Sequence, residues 1–327
     1  MTPRRLISIL LLLTVFVPAR GQDIHFSQID VNPVLFNPAY SGFFDGQGRF
    51  GGIYRNQWAS VSKAFQTIAA TAECSLMRRR YYGDGLSIGT ILYSDRAGTL
   101  HYGTTAGNLI LSYFKSVGRN RNSSISAAAE VGFGQAGFNN ADIILEDPTD
   151  DFAQYSKSFF TIGAGLAWFY QPNDDLYFKA GIAARNINRP DISYMMTDST
   201  FIERKFSLYA RSEYRAWGDI SLMPLVAAIL QNNYREAIVG CDVKWYLSES
   251  SSRTVSFSWG ILYRWRDAAL VEMTAEYNAF LFALSYDANL SKLTPASHSL
   301  GAFEISIVYR LARNTRVRRT AMPCPIM

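Results

Sequence analysis

Between Thr254 and Leu290 the chain alternates apolar and polar residues three times over. Val255, Phe257, Trp259, Ile261 and Tyr263 share one parity; Thr254, Ser256, Ser258, Gly260 and Arg264 share the other, with Leu262 the one exception. Ala269, Val271, Met273, Ala275 and Tyr277 then interleave with Glu272, Thr274 and Glu276. Phe280, Phe282, Leu284, Tyr286, Ala288 and Leu290 alternate in turn with Ala283, Ser285, Asp287 and Asn289. Successive side chains of a strand point to opposite faces, so each run is a ribbon with one greasy and one polar side. Aromatic residues sit near the ends of the apolar faces. A transmembrane β-barrel requires this arrangement: about ten residues per crossing, apolar outward, polar inward, aromatics at both interfaces. A soluble sandwich or a lipocalin-like barrel also alternates, and the start of the chain favours the membrane.

The same pattern recurs from about residue 47 to residue 311 and predicts an all-β protein, a transmembrane antiparallel β-barrel of about fourteen strands. The first strand puts Phe50, Tyr54 and Trp58 on one face and Arg49, Ile53, Arg55 and Gln57 on the other. Later strands repeat the theme, for example Phe160, Ile162, Ala164, Leu166, Trp168 and Tyr170, or Val239, Cys241, Val243 and Trp245 against Gly240, Asp242 and Lys244. Residues 220–231 contain Pro224, which lacks a ladder donor and predicts a bulge or distorted pairing. An even strand count returns both ends of the barrel to one side.

The N-terminus reads as a secretory signal. Arg4 and Arg5 precede an apolar run over 6–17, and Ala19-Arg20-Gly21 supplies small residues before a cut placed ahead of Gln22. Export followed by alternating strands points to the outer membrane of a two-membrane bacterium. Residues 22–46 are not strand-like. Two Asn-Pro steps, Asn32-Pro33 and Asn37-Pro38, favour turns and forbid a regular helix across them. The segment keeps Phe26, Val34, Leu35, Phe36 and Phe43, which need a surface to bury against. Fourteen strands enclose more space than wall side chains fill, so this segment is expected to act as a plug in the lumen or at its inner mouth. The domain order is therefore signal 1–21, Asn-Pro-rich segment 22–46, barrel 47–311 and basic tail 312–327.

Composition narrows the function. Beyond the leader no apolar run approaches the twenty residues of a membrane helix. Removing Arg4, Arg5 and Arg20 with the signal leaves 29 basic against 27 acidic groups, a balance that does not suggest nucleic-acid binding. Cys74, Cys241 and Cys324 show neither metal spacing nor a disulfide framework; the first two fall on apolar parities. The acidic connection 139–156 lacks the spaced ligands and turn glycine of a calcium loop. His25, His101 and His298 are scattered, and Glu272 and Glu276, four apart on one strand face, suit lumen lining better than catalysis. No enzyme chemistry, cofactor or metal is expected.

The inward parity carries both signs: Arg49, Arg55, Lys179, Arg185, Arg211, Arg215, Lys244, Arg264 and Arg310 against Glu130, Glu213, Asp242, Glu272, Glu276, Asp287 and Glu304. Such charges either line a water-filled pore or pair across the lumen and hold something in it. With the N-terminus in the periplasm, the turns after the second and fourth strands carry Arg78, Arg79, Arg80, Arg119 and Arg121. The tail adds Arg313, Arg316, Arg318 and Arg319. Together they form a basic periplasmic rim that would steer an acidic partner or outer-membrane lipid headgroups.

Both ends of the mature chain resemble one family. Gln22-Asp23, His25–Gln28, Asn32-Pro33, Asn37–Ala39, Gly42 and Tyr54–Trp58 are similar to the opening of the PorP/SprF family of Bacteroidetes outer-membrane proteins. Ser285–Asp287, Ser291, Pro295–Ser297, Gly301, Phe303–Ser306 and Cys324-Pro325 resemble its closing hairpin and tail. The family often ends Cys-Pro-Arg-Phe, whereas this chain ends Cys-Pro-Ile-Met. The resemblance implies a non-enzymatic component of the type IX secretion and gliding machinery. Its partners would be a secreted surface protein with a C-terminal sorting domain and a periplasmic peptidoglycan-binding or lipoprotein component. It also singles out residues. Asn32, Pro33, Asn37 and Pro38 would fix the path of the N-terminal segment. Arg55, Asn56 and Gln57 would seat it at the first strand, and Tyr286, Asp287 and Phe303 would close the barrel against that strand. The alternatives are a small-solute outer-membrane channel and an outer-membrane enzyme.

Overall fold

The computed structural model describes residues 24–44, 46–57, 65–79, 83–98, 102–117, 122–137, 156–193, 200–249, 254–290 and 300–311. The alternation resolves into fourteen strands. They are β1 (Gly48–Gln57), β2 (Phe65–Arg79), β3 (Asp84–Ala97), β4 (Tyr102–Val117), β5 (Ser123–Gly137), β6 (Ser156–Tyr170) and β7 (Leu176–Arg185), then β8 (Lys205–Trp217), β9 (Ile220–Gln231), β10 (Tyr234–Glu249), β11 (Thr254–Arg264), β12 (Ala268–Tyr277), β13 (Phe280–Asn289) and β14 (Leu300–Leu311). Each pairs antiparallel with its sequence neighbours, and β14 closes the sheet on β1, Gly48 opposite Leu311 and Gln57 opposite Ala302. Closure leaves no free edge among the described strands, and neighbouring strands meet most backbone donors and acceptors of the wall, as hydrocarbon demands; where β6 runs past β7, the Asn188 side chain meets the Ile162 N–H and the Phe160 carbonyl.

The two mouths differ. At the base, where β1 begins and β14 ends, strands are joined by 80–83, 118–122, 171–175, 218–219, 250–253 and 278–279. At the crown the connections include 138–155, 186–204 and 290–299. Residues 186–193 and 200–204 fold over the crown, with Asp191 bridged to Phe201 and Ile192 packed on Ala106, Ala136 and Phe159.

Parity sorts the wall as the sequence predicts. Val239, Ile261, Ile182, Leu109 and Phe282 point outward and are exposed, with Trp168, Trp217, Trp245 and Trp265 near strand ends. Cys74 and Cys241 lie on this outer face. Arg49, Arg55, Lys179, Glu130, Glu272, Asp287 and Glu304 are buried inside. The inner face is not wholly polar, however. Phe114, Phe169, Tyr209, Leu225, Ile238, Leu262 and Leu270 point inward and form one cluster with Ile29, Ala39, Tyr40 and Phe43 of the N-terminal segment. Leu262, the exception in the alternation, belongs to this cluster and is only 2% exposed.

Pro224 does not produce a bulge. It sits opposite Cys241 in an unbroken β9–β10 ladder. On its other side the β8–β9 rows pass from Arg211↔Leu225 to Tyr214↔Leu222, keeping the same register across the interruption. The missing N–H therefore distorts one ladder locally, and the register shift falls nearer the turn, between Arg215 and Trp217.

Candidate functional site

The inner wall of the barrel and residues 24–44 are built for each other. Residues 33–35 and 38–40 form two single 3₁₀ turns, each opened by the proline of an Asn-Pro step at the first position, where its missing N–H costs nothing. Asn37 caps the second turn by accepting from the N–H of Ala39 at 2.8 Å. Short turns separated by prolines make a compact irregular chain, and its unpaired backbone groups must find partners on the wall.

They find them at four places. At the crown, Glu304 accepts the N–H groups of Ser27 and Gln28 at 2.8 and 3.0 Å. The Ser27 hydroxyl donates to Asp287 at 2.8 Å and accepts from Arg55 and Arg264 at 2.9 and 2.7 Å. Those arginines pair with Asp287 at 3.3 and 3.0 Å, Arg55 also with Glu304, and Arg264 with Glu236 at 3.3 Å. The Gln28 amide donates to Ser285 and to the Glu304 carbonyl, both at 3.1 Å. At mid-height, Asp30 pairs with Lys179 at 2.5 Å and with Arg211, and accepts from Tyr209; Arg211 continues to Asp242. On the β5–β7 side, the Arg185 guanidinium donates to the carbonyls of Val34 (2.8 Å) and Leu35 and pairs with Glu130 at 3.0 Å. At the base, Glu73 accepts the Gly42 N–H at 3.1 Å and pairs with Arg49 at 2.7 Å, and Arg49 lies over the Phe44 ring. Phe43 stacks on Phe169 with centroids 3.4 Å apart.

Outside the strands, burial raises the Tyr40 phenol above its ordinary range. Burial first, and then Arg55, Arg264 and Lys205, hold the His25 imidazole well below its usual value. His25 therefore adds no charge near neutral pH, and its ring lies beside that of Tyr234, centroids 6.3 Å apart.

Glycines on the wall make room for the Asn-Pro steps. A Cβ on Gly51 would strike the Asn32 amide, and one on Gly165 would strike Asn37 and approach Pro38 at 3.1 Å. One on Gly181 would lie 2.6 Å from Asn37 Nδ2 and 2.8 Å from the Tyr40 hydroxyl. The Asn37 amide in turn donates to the carbonyls of Leu166 and Ile182, 3.1 Å each, across the β6–β7 pair. At Gly42 the backbone takes a positive φ of 79°. Gly181→Leu should therefore push the segment off this wall, at a cost of ~1–3 kcal/mol for overpacking a close-fitted site. Purified G181L barrel is expected to melt at lower temperature and to lose residues 24–44 to added protease. A G181L protein as protease-resistant as the parent would count against the fit.

The residues named from sequence separate cleanly. Asn32, Pro33, Asn37 and Pro38 are buried in the lumen, Asn32 accepting from Thr71 at 3.3 Å. Arg55 and Asp287 meet at the segment. Asn56 does not seat it: on the outward parity of β1, it donates to the Tyr54 hydroxyl at 3.2 Å. Among the described residues, Gln57 takes part through a long contact from Arg55, 3.4 Å. Tyr286 does not close the barrel on β1, because β14 lies between β13 and β1 and the Tyr286 ring faces outward. Phe303 is in the closing ladder, opposite Asn56, with its ring also outward. Arg78 and Arg79 end β2. Their side chains lie outside the described residues, as do Arg80, Arg119, Arg121, Arg316, Arg318 and Arg319, the leader, Trp58, His101, His298, residues 139–155 of the acidic connection and the tail. Sequence reading did not single out Asp30, Glu73, Lys205 or Glu236. The apolar breaks in the inward parity, such as Leu262, were the available signal for where the segment packs.

Beside Asp30 and Val31 a cavity remains in the base half, lined among others by Tyr177, Met223, Lys244, Glu272, Glu276 and Leu281.

The family model for the type IX secretion system membrane protein PorP/SprF matches residues 19–309. No curated protein matches the chain. Among solved structures, the CymD monoaromatic hydrocarbon channel is 11% identical with a TM-score of 0.51, covering 90% of this chain and 96% of that one. The P. putida toluene transporter TodX is 8% identical with a TM-score of 0.50, covering 86% and 95%. At these identities the likeness is one of fold.

Proposed function

We propose, from the premise that this chain belongs to the PorP/SprF family of type IX secretion system membrane proteins, that it is a non-enzymatic outer-membrane component of that machinery which holds partners and does not pass solutes. One observation carries this reading: residues 24–44 lie within the barrel with their polar groups bonded to charges of the inner wall at four places. In this reading the segment is a plug, the signal is removed before Gln22, and the crown connections face the cell surface. A lumen so filled suits a scaffold. The crown would anchor or present a secreted surface protein that carries a C-terminal sorting domain. The base, with its arginine-bearing turns and tail, would engage a periplasmic peptidoglycan-binding or lipoprotein component and the nearby lipid headgroups.

The test is genetic. Deleting the gene should abolish surface display of at least one sorting-domain protein, or gliding, and crosslinking in outer membranes should capture that protein and a periplasmic partner with the barrel. A deletion strain with every such protein displayed and motility intact would remove the secretion role.

A further inference from the structure

We propose that the chain threads its own barrel from base to crown, so that its mature N-terminal end is displayed on the cell-surface side. The inference rests on the reading above for the membrane and for cleavage before Gln22. Its geometry is independent of any partner. Phe44 sits under Arg49 at the base, where β1 begins. Phe43 packs on Phe114 and Phe169 near the base ends of β4 and β6. Asn37 is held between the two mouths, at Leu166 and Ile182 where β6 and β7 pair. Ser27 and Gln28 are bound by Arg55, Asp287 and Glu304, all in the crown-side halves of their strands. His25 then meets Tyr234, the first residue of β10, and the Ile24 carbonyl accepts from Lys205, the first residue of β8. Both of these strands start at the crown.

Gln22 is two residues beyond Ile24, within about 7 Å of chain. The crown also carries the long connections, 138–155 and 186–204, while the base carries short turns. Bacterial barrels place long loops outside and short turns in the periplasm. The start of the mature chain therefore emerges on the face opposite to the start of β1. An exported protein docked on the crown would meet this end of the chain beside the loops.

An epitope inserted between Gln22 and Asp23 of the full chain, in its own host, tests this, with a sister strain carrying the epitope after Met327. Antibody should stain the first strain on intact cells and the second only after the outer membrane is permeabilised. N-terminal staining that requires permeabilisation, in a barrel that still shows a heat-dependent gel shift, would overturn the proposal. If the insertion blocks assembly, Asp23→Cys replaces it, in a chain with Cys74, Cys241 and Cys324 changed to Ala. Labelling of intact cells by an impermeant maleimide supports threading, and labelling only after lysis overturns it. Scoring surface display of sorting-domain proteins in the same strains keeps a failed secretion role separate from a failed topology.

Discussion

Deleting residues 24–44 should turn a barrier into a pore. In planar bilayers the full-length barrel is expected to show little or no steady current. The deleted barrel should conduct on the order of tenfold more or higher, because fourteen strands enclose a lumen that wall side chains do not fill. The segment supplies Phe43, Tyr40 and Ile29 to the main internal cluster and places Val34 against Ile91 and Ile110. Its removal clears the axis from Glu304 near the crown to Glu73 near the base. A synthetic peptide of residues 22–46, added to the deleted barrel, should restore the block. This addition separates an opened pore from a damaged one. A full-length barrel already conducting like an open porin would contradict the plug, and with it the preference for a holding over a channel function.

Asp30→Ala should have the largest effect of any single substitution in the segment. Asp30 is 2.5 Å from Lys179 and also meets Arg211 and Tyr209. Arg211 keeps Asp242, but Lys179, buried on β7, loses an anion. Removing one member of a buried pair leaves uncompensated charge and typically costs ~3–5 kcal/mol. The expected readout is a clear drop in the melting temperature of purified barrel and frequent transient openings in single-channel records. Asp30→Glu should recover most of the loss. If D30A melted and gated like the parent, the segment would not be held by charge.

How legible was this from sequence? Strand number and facing were, because period-two alternation is a local property and the wall is made of it. The charges inside were legible for the same reason, so Arg55, Lys179, Asp287 and Glu304 could be named. Their partners were not. Lys179 meets an acid of the segment, Asp30, and Arg185 meets two carbonyls of that segment; neither contact has a sequence period. Tyr286 and Asn56 belong to the motifs, yet parity turns both side chains outward, and β14 separates Tyr286 from β1. The glycines were the subtler signal. Gly51, Gly165 and Gly181 look like weak strand residues, yet each is a space that Asn32 or Asn37 occupies.

One contact bears on how such a protein can be made. The carboxylate that takes the N–H groups of Ser27 and Gln28 is on β14, the last strand of the barrel, 277 and 276 residues further along the chain. The leading stretch is thus synthesised first and clasped last. Contacts of such sequence separation form late, because a long loop must close before they offer any return. Until β14 arrives the barrel is an open sheet, and the leading stretch can be laid in from the side without being pushed through a finished ring. Seam closure and capture of the leading stretch are then a single event, and a chain truncated before residue 300 would lose both together.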